Sequence, residues 1–177
     1  MDSTRPALAR RIYETAHITG EFTLRSGAIS HEYFDNYLFE ADPVLLKDIA
    51  TALVPLVPPG IDALAGLEMG GIPIATMLSQ LTGLPLLFVR KKAKDYGTCK
   101  IAEGGRVRGR KLLIVEDVVT SGGAILDAAQ ALREEGAELG PVVCVIDRES
   151  GGPANLAKVA LQLTPLFTMS ELKQAGA

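Results

Sequence analysis

The chain has 177 residues, of which 47% are hydrophobic and 22% charged, enough for one globular domain with a sizeable core. A net charge of −3 argues against nucleic acid as a partner, and no apolar stretch approaches the roughly 20 residues of a membrane span. The amino terminus, MDSTRPALARR, lacks the apolar core of a signal peptide, so a cytoplasmic protein is expected.

In chain order, PALARRIYETAH reads as an amphipathic helix. Residues 20–43, GEFTLRSGAISHEYFDNYLFEADP, show weak alternation and many polar residues, the pattern of a small appended subdomain. DPVLLKDIATALVPLV reads as a second helix, with Asp42 as N-cap, Pro43 at the first helical position and an end near Pro58-Pro59-Gly60. Four short apolar runs follow, DALAGL, PLLFVR, KLLIVED and VVCVID, suited to strands buried on both faces. Between them lie helices starting near GGIPIATMLSQL and GGAILDAAQALREEG. This alternation predicts an α/β fold with a mostly parallel central sheet flanked by helices. No repeat or linker divides the chain, which predicts a single domain over 1–177.

Residues 91–107, KKAKDYGTCKIAEGGRV, have little apolar content yet separate two strands, so a functional loop is expected, mobile when empty and ordered on a ligand. The wider segment 90–110 holds eight of the 18 Lys and Arg against two of the 21 acids, giving it +6 and the remainder −9. A cationic loop on an acidic body predicts a small, highly charged anion as ligand. Cys99 and Cys144 have neither metal-site spacing nor disulfide density and read as incidental thiols.

The most informative stretch is LLIVEDVVTSGGA, residues 112–124. Glu116 and Asp117 fall at the carboxyl end of a strand, where open α/β sheets bind ligands. Thr120, Ser121, Gly122 and Gly123 open the next helix, whose unpaired N–H groups and positive dipole end cradle phosphate. Phosphate repels carboxylate, so the two acids should address another part of the same ligand. Vicinal ribose hydroxyls, which donate to carboxylates, meet that need. There is no GxxxxGK[ST] and no GxGxxG opening a βαβ unit. A plain strand-to-helix turn with a Ser or Thr cap is the alternative.

VEDVVTSGGA resembles the signature of type I phosphoribosyltransferases, in which two acids and a TSGG-like turn hold the ribose 5-phosphate of phosphoribosyl pyrophosphate. Four further segments resemble orotate phosphoribosyltransferases: the catalytic loop in FVRKKAKDYGT, the hood in GEFTLRSGAISHEYFD, the pyrophosphate-side loop in GLEMGGIPIAT, and the strand-end arginine in VIDRESGGPANL. LFTMSEL near the end also looks familial. The resemblance implies a hood over about 1–42 with a C-terminal contribution, a core over about 43–165, and a long flexible catalytic loop.

It also implies site residues. Arg90, Lys91, Lys94 and Tyr96 match the loop that grips the donor's pyrophosphate. Glu116, Asp117, Val118, Val119, Thr120, Ser121, Gly122, Gly123 and Ala124 match the ribose-phosphate segment, and Arg25 a hood position near the donor. Thr120, Arg148 and Phe34 match positions that bind orotate, Arg148 being suited to its carboxylate by bidentate pairing. Lys94, Lys91 and Asp117 are the expected catalytic residues.

The implied reaction joins orotate to the phosphoribosyl group and releases pyrophosphate, with Mg²⁺ held mainly by substrate and water rather than by direct protein ligands. A homodimer is implied, with loop 90–107 reaching the neighbouring site. Relatives carry His where this chain has Tyr96, Glu for Lys92, Lys for Gly70 and Lys for Arg25, so an imidazole acid–base role is unavailable at position 96. Only His17 and His31 exist, and neither sits in a chemical motif. Two other functions stay open: transfer to another nucleobase, or a non-catalytic sensor of phosphoribosyl pyrophosphate.

Overall fold

The computed structural model describes residues 4–23, 27–92 and 100–177. Arg25, Lys94, Tyr96 and Cys99 lie outside them, and with them the centre of the expected mobile loop. The elements in order are α1 (Arg5–Ala16), β1 (His17–Thr23), β2 (Ile29–Phe34), α2 (Asn36–Ala41), α3 (Pro43–Leu53), β3 (Ala63–Leu67), α4 (Gly71–Thr82), β4 (Leu86–Val89), β5 (Ala102–Glu103), β6 (Lys111–Val119), α5 (Gly123–Glu134), β7 (Glu138–Asp147), α6 (Gly152–Ala157), β8 (Leu163–Thr168) and α7 (Met169–Gly176).

The main sheet runs β5-β4-β3-β6-β7-β8 and is parallel except where β5 pairs antiparallel with β4. Strand alternation divides the core between its two faces. Leu64, Leu113 and Val115 face α1, α3, α4 and α7, while Ala63, Ala65, Leu112 and Ile114 face α5 and α6. The expected α/β fold with a mostly parallel sheet between helices is present.

The polar segment after α1 folds as a two-stranded hairpin, β1 with β2, followed by α2. Asp42 closes α2 and opens α3, its carboxylate accepting from the N–H groups of Val44 and Leu45 at 2.9 Å. The helix it caps ends at Leu53 rather than near residue 60, because Pro55 turns the chain into the 3₁₀ turn Val54–Leu56. No helix among the described residues is long and apolar enough to cross a membrane.

Candidate active site

The chain adds β4 and β5 on one side of β3, then returns to add β6, β7 and β8 on the other. Loops leaving the carboxyl ends of β3 and β6 therefore diverge, and the crevice between them is the ligand position of such sheets.

From β6, Thr120, Ser121 and Gly122 lead into α5. Gly122 has a φ of +82°, which glycine adopts without steric cost. The turn is braced from behind by α6. Asn155 Nδ2 donates to the Ser121 carbonyl at 3.0 Å, and a Cβ on Gly152 would stand 2.7 Å from the Thr120 carbonyl oxygen. Glu116, Val118, Val119, Thr120, Gly122, Gly123 and Ala124 line a concavity of about 50 Å³ at the start of α5. Its size suits one anionic group, and the exposed hydroxyls of Thr120 and Ser121 add donors at its rim.

Asp117 is not on that lining; its side chain is turned toward α2. Its Oδ1 accepts from the Val118 N–H at 2.7 Å, and its Oδ2 accepts from Asn36 Nδ2 of α2. The same Asn36 nitrogen donates to Glu40 Oε1 at 3.2 Å. A side chain at Gly70, in the turn after β3, would overlap the Asp117 carboxylate and crowd Glu40. The space that a lysine at position 70 would enter is thus filled by acids.

Glu40, Glu116 and Asp117 are all buried. Burial first, then the hydrogen bond and charge of Asp117, push Glu40 up to about 8. The same causes drive Glu116 well above the usual carboxylate range. Folded Glu40 keeps its proton up to about pH 8, whereas an unfolded glutamate releases it near 4.5. The folded state therefore binds more protons between those values, and stability falls as pH rises through that window. Glu40→Gln is expected to flatten the fall, by at most about 1.4 kcal/mol per pH unit. Denaturant titrations at several pH values across that range check this, and an unchanged slope would place the proton elsewhere.

Two larger cavities flank the crevice. One of about 180 Å³ brings Phe34 and Arg148 together, with Tyr13, His17, Tyr33 and Lys173 also on its wall. Arg148 is held beside the phosphate turn by its N–H, which donates to the Val119 carbonyl at 2.8 Å. The other, of about 580 Å³, carries Arg90, Lys91 and Lys92 opposite Gly123 and Ala124. There the Lys91 N–H donates to the Glu68 carboxylate, and Arg90 Nε is a buried nitrogen with no hydrogen-bond partner among the described residues. A small anion nest thus sits near a cationic recess and a recess with an aromatic wall.

Residues 45–163 match the phosphoribosyl transferase domain model. The chain is 56% identical over 173 residues to an orotate phosphoribosyltransferase of Nocardioides sp., covering 96% of this chain and 97% of that one. The chain belongs to the orotate phosphoribosyltransferase family. A family member from Pyrococcus horikoshii is 42% identical over 160 residues, with 89% of this chain and 86% of that one covered. Among solved structures, Mycobacterium tuberculosis orotate phosphoribosyltransferase in complex with 5-phospho-α-D-ribosyl 1-diphosphate superposes with a TM-score of 0.82 at 25% identity, over 96% of this chain and 98% of that one.

Of the residues expected from the sequence, 116, 118–120 and 122–124 gather on the nest, with Ser121 in the same turn. Phe34 shares a cavity with Arg148, Arg90 with Lys91, and Thr120 lines the nest rather than the cavity of Arg148. Asp117 faces α2. Sequence reasoning passed over Asn36 and Glu40, although their spacing of four residues puts them on one helical face. It also passed over Glu68.

Proposed function

We propose that this chain transfers the 5-phosphoribosyl group from phosphoribosyl pyrophosphate to ring nitrogen 1 of orotate, giving orotidine 5′-monophosphate and pyrophosphate. The single observation that carries the reading is the phosphate-sized nest at the β6–α5 turn, set beside the cavity shared by Phe34 and Arg148. In it, the N–H groups opening α5 and the hydroxyls of Thr120 and Ser121 hold the 5-phosphate. Glu116 and Asp117 accept from the ribose hydroxyls. Phe34 packs on the base, and Arg148 pairs with its carboxylate.

The reacting carbon passes through an oxocarbenium-like state as pyrophosphate leaves, so the protein positions the partners and stabilises charge without a nucleophile of its own. Arg90, Lys91 and Lys94 take up the charge on the leaving group, with Tyr96 on the same loop and Arg25 approaching from the hood. Hard carboxylate oxygens stand at the end of β6, on Glu116 and Asp117. Hard oxygens suit Mg²⁺, which would be held mainly by the substrate and water, with Glu116 and Asp117 as the residues that would accept from its waters. The chemistry it would supply is neutralisation of the pyrophosphate charge.

The functional unit is one domain, residues 1–177, with the hood over about 1–42 joined by α7 and the core over about 43–165. The apolar cluster shared by α1, α2, α7 and the sheet supports this. A homodimer in which loop 90–107 reaches the neighbouring site is supported by exposed Tyr37, Leu38, Val44 and Met69 on and beside α2, α3 and the β3 turn. A fully active monomer in sedimentation would remove the cross-subunit role. We place the enzyme in the cytoplasm.

The test is the ultraviolet absorbance of orotate mixed with protein, Mg²⁺ and phosphoribosyl pyrophosphate. A decrease that needs every component is expected. No decrease, with the donor still protecting against thermal unfolding, would turn the function toward another base or a sensor. Lys94→Ala is expected to lower kcat by about a hundredfold or more with little change in melting temperature, since a charge-stabilising contact acts on the transition state. Unchanged turnover would remove Lys94 from the mechanism.

A further inference from the structure

We infer that Asn36 is a positioning residue for the transfer reaction, fixing the Asp117 carboxylate relative to the base-binding hood through its side-chain amide. The inference rests on Asp117 holding the ribose, as proposed above.

Four observations converge on it. Asn36 is the first residue of α2, two positions beyond Phe34, and Asp35 caps that helix by accepting from the Tyr37 N–H at 3.1 Å. Its backbone is therefore tied to the segment that carries the aromatic wall of the base cavity. Its Nδ2 donates both to Asp117 Oδ2 and to Glu40 Oε1, so one neutral group separates two buried acids. The carboxamide oxygen cannot take that place, because it would face the acceptor-only carboxylate of Asp117. Glu40 of the same helix also hydrogen-bonds to Asp117, so the amide holds one of two links from α2 to that carboxylate, and it is the one nearer Phe34.

The geometry makes the amide a link between two substrates. The base contacts the hood at Phe34, the sugar contacts Asp117, and Asn36 joins the two, its backbone following Phe34 by two positions and its amide reaching Asp117. Without it, Asp117 Oδ2 loses the amide donor, leaving Glu40 as its single partner on α2, beside Gly70. The carboxylate is then free to turn from the sugar, and the near-attack geometry loosens. Serine and alanine are too short to span the gap, and aspartate keeps the shape but replaces the donor with an acceptor.

The experiment measures kcat/KM for phosphoribosyl pyrophosphate in Asn36→Ala, Asn36→Asp, Asp117→Asn and the double variant Asn36→Ala/Asp117→Asn, with melting temperatures for each. Loss of a hydrogen bond to a charged group predicts a fall of about ten- to a hundredfold for Asn36→Ala. Asn36→Asp should fall at least as far at neutral pH and recover toward acid pH, as protonation restores a donor. Asn36→Ala in the Asp117→Asn background should cost little more, since both changes break one linkage.

Full multiplication of the two losses would overturn the inference, as would wild-type kcat/KM in a folded Asn36→Ala. Should Asn36→Ala fail to fold, the isosteric Asn36→Asp decides by its pH profile: a profile parallel to that of the wild type overturns the proposal. If Asp117→Asn keeps wild-type donor constants while Asn36→Ala loses activity, the sugar role of Asp117 fails, and Asn36 acts by another route.

Discussion

Arg148→Ala lowers kcat/KM for orotate by about a hundredfold, and the KM for phosphoribosyl pyrophosphate stays within a fewfold of wild type. The expectation starts from the place of Arg148 at the carboxyl end of β7, where its N–H donates to Val119 and fixes the backbone beside the phosphate turn. Its side chain lines the cavity that also carries Phe34. A planar guanidinium pairs with a carboxylate through two parallel N–H groups, a geometry that lysine cannot copy.

On the proposed role, removing it would leave the substrate carboxylate desolvated without a partner, and such charged hydrogen bonds contribute about 1.5–3 kcal/mol, a factor of roughly 10 to 150. Steady-state kinetics with each substrate varied in turn check the split. A second readout uses uracil, the same ring without the carboxylate. The wild type should reject it strongly, and Arg148→Ala should narrow the ratio between the two bases. Orotate constants that stay at wild-type values would move the carboxylate elsewhere in the site.

The largest stability effect is expected at Gly71, the first residue of α4. A Cβ there would overlap the carbonyl oxygen of Val115 and stand 3.3 Å from the Glu116 Cα. Both neighbours belong to central strand β6, so neither can swing aside as a side-chain tip would. Helix α4 would have to lift from the sheet and loosen Ile74, Ala75 and Leu78, all fully buried. Gly71→Ala should therefore cost about 3 kcal/mol or more.

Gly83 supplies the control. It ends the same helix with a φ of +74° but has open space around it, so Gly83→Ala should cost only about 1 kcal/mol for backbone strain. Denaturant midpoints for the two variants separate the effects, and equal losses would remove close approach as the cause. Donor binding should fail together with stability in Gly71→Ala, because the Val115–Glu116 backbone leads into the nest.

The parts that came through from the sequence are those whose cause is local. All four apolar runs became strands, and in β3, β6 and β7 burial on both faces leaves no polar alternation, whereas β4 leaves one face partly open, with Phe88 exposed. The phosphate turn was legible because Thr120, Ser121, Gly122 and Gly123 carry the chemistry within four adjacent positions.

Strand β8 went unread because Pro165 interrupts LTPLFT, and proline argues against a central strand. It is tolerated here since β8 forms the edge of the sheet, paired only with β7. The start of α7 did carry a signal, in the T-x-x-E of Thr168 and Glu171. The Thr168 hydroxyl accepts from the Glu171 N–H, and the Glu171 carboxylate from the Thr168 N–H. The link between Asn36 and Asp117 had no such local sign, because 81 residues separate its ends. Gly70 is the instructive case. It reads as a lost lysine in one dimension, and in three it makes room for the acids from α2 and β6.

The strand order also bears on how the chain reaches its folded state. Apart from the β1–β2 hairpin and the short β4–β5 pair, strand pairing is parallel, and Ala63 must wait for Leu112 to be placed beside it. Loop-closure entropy is met before such contacts yield anything in return, so assembly of the central strands is a late event. The nest, the acids and the hood amide converge where β3 meets β6, and no earlier fragment holds more than part of them. Ligand affinity is thus a property of the finished chain alone. Binding of phosphoribosyl pyrophosphate draws the folding equilibrium toward completion by mass action, and a half-assembled molecule has nothing to gain from it.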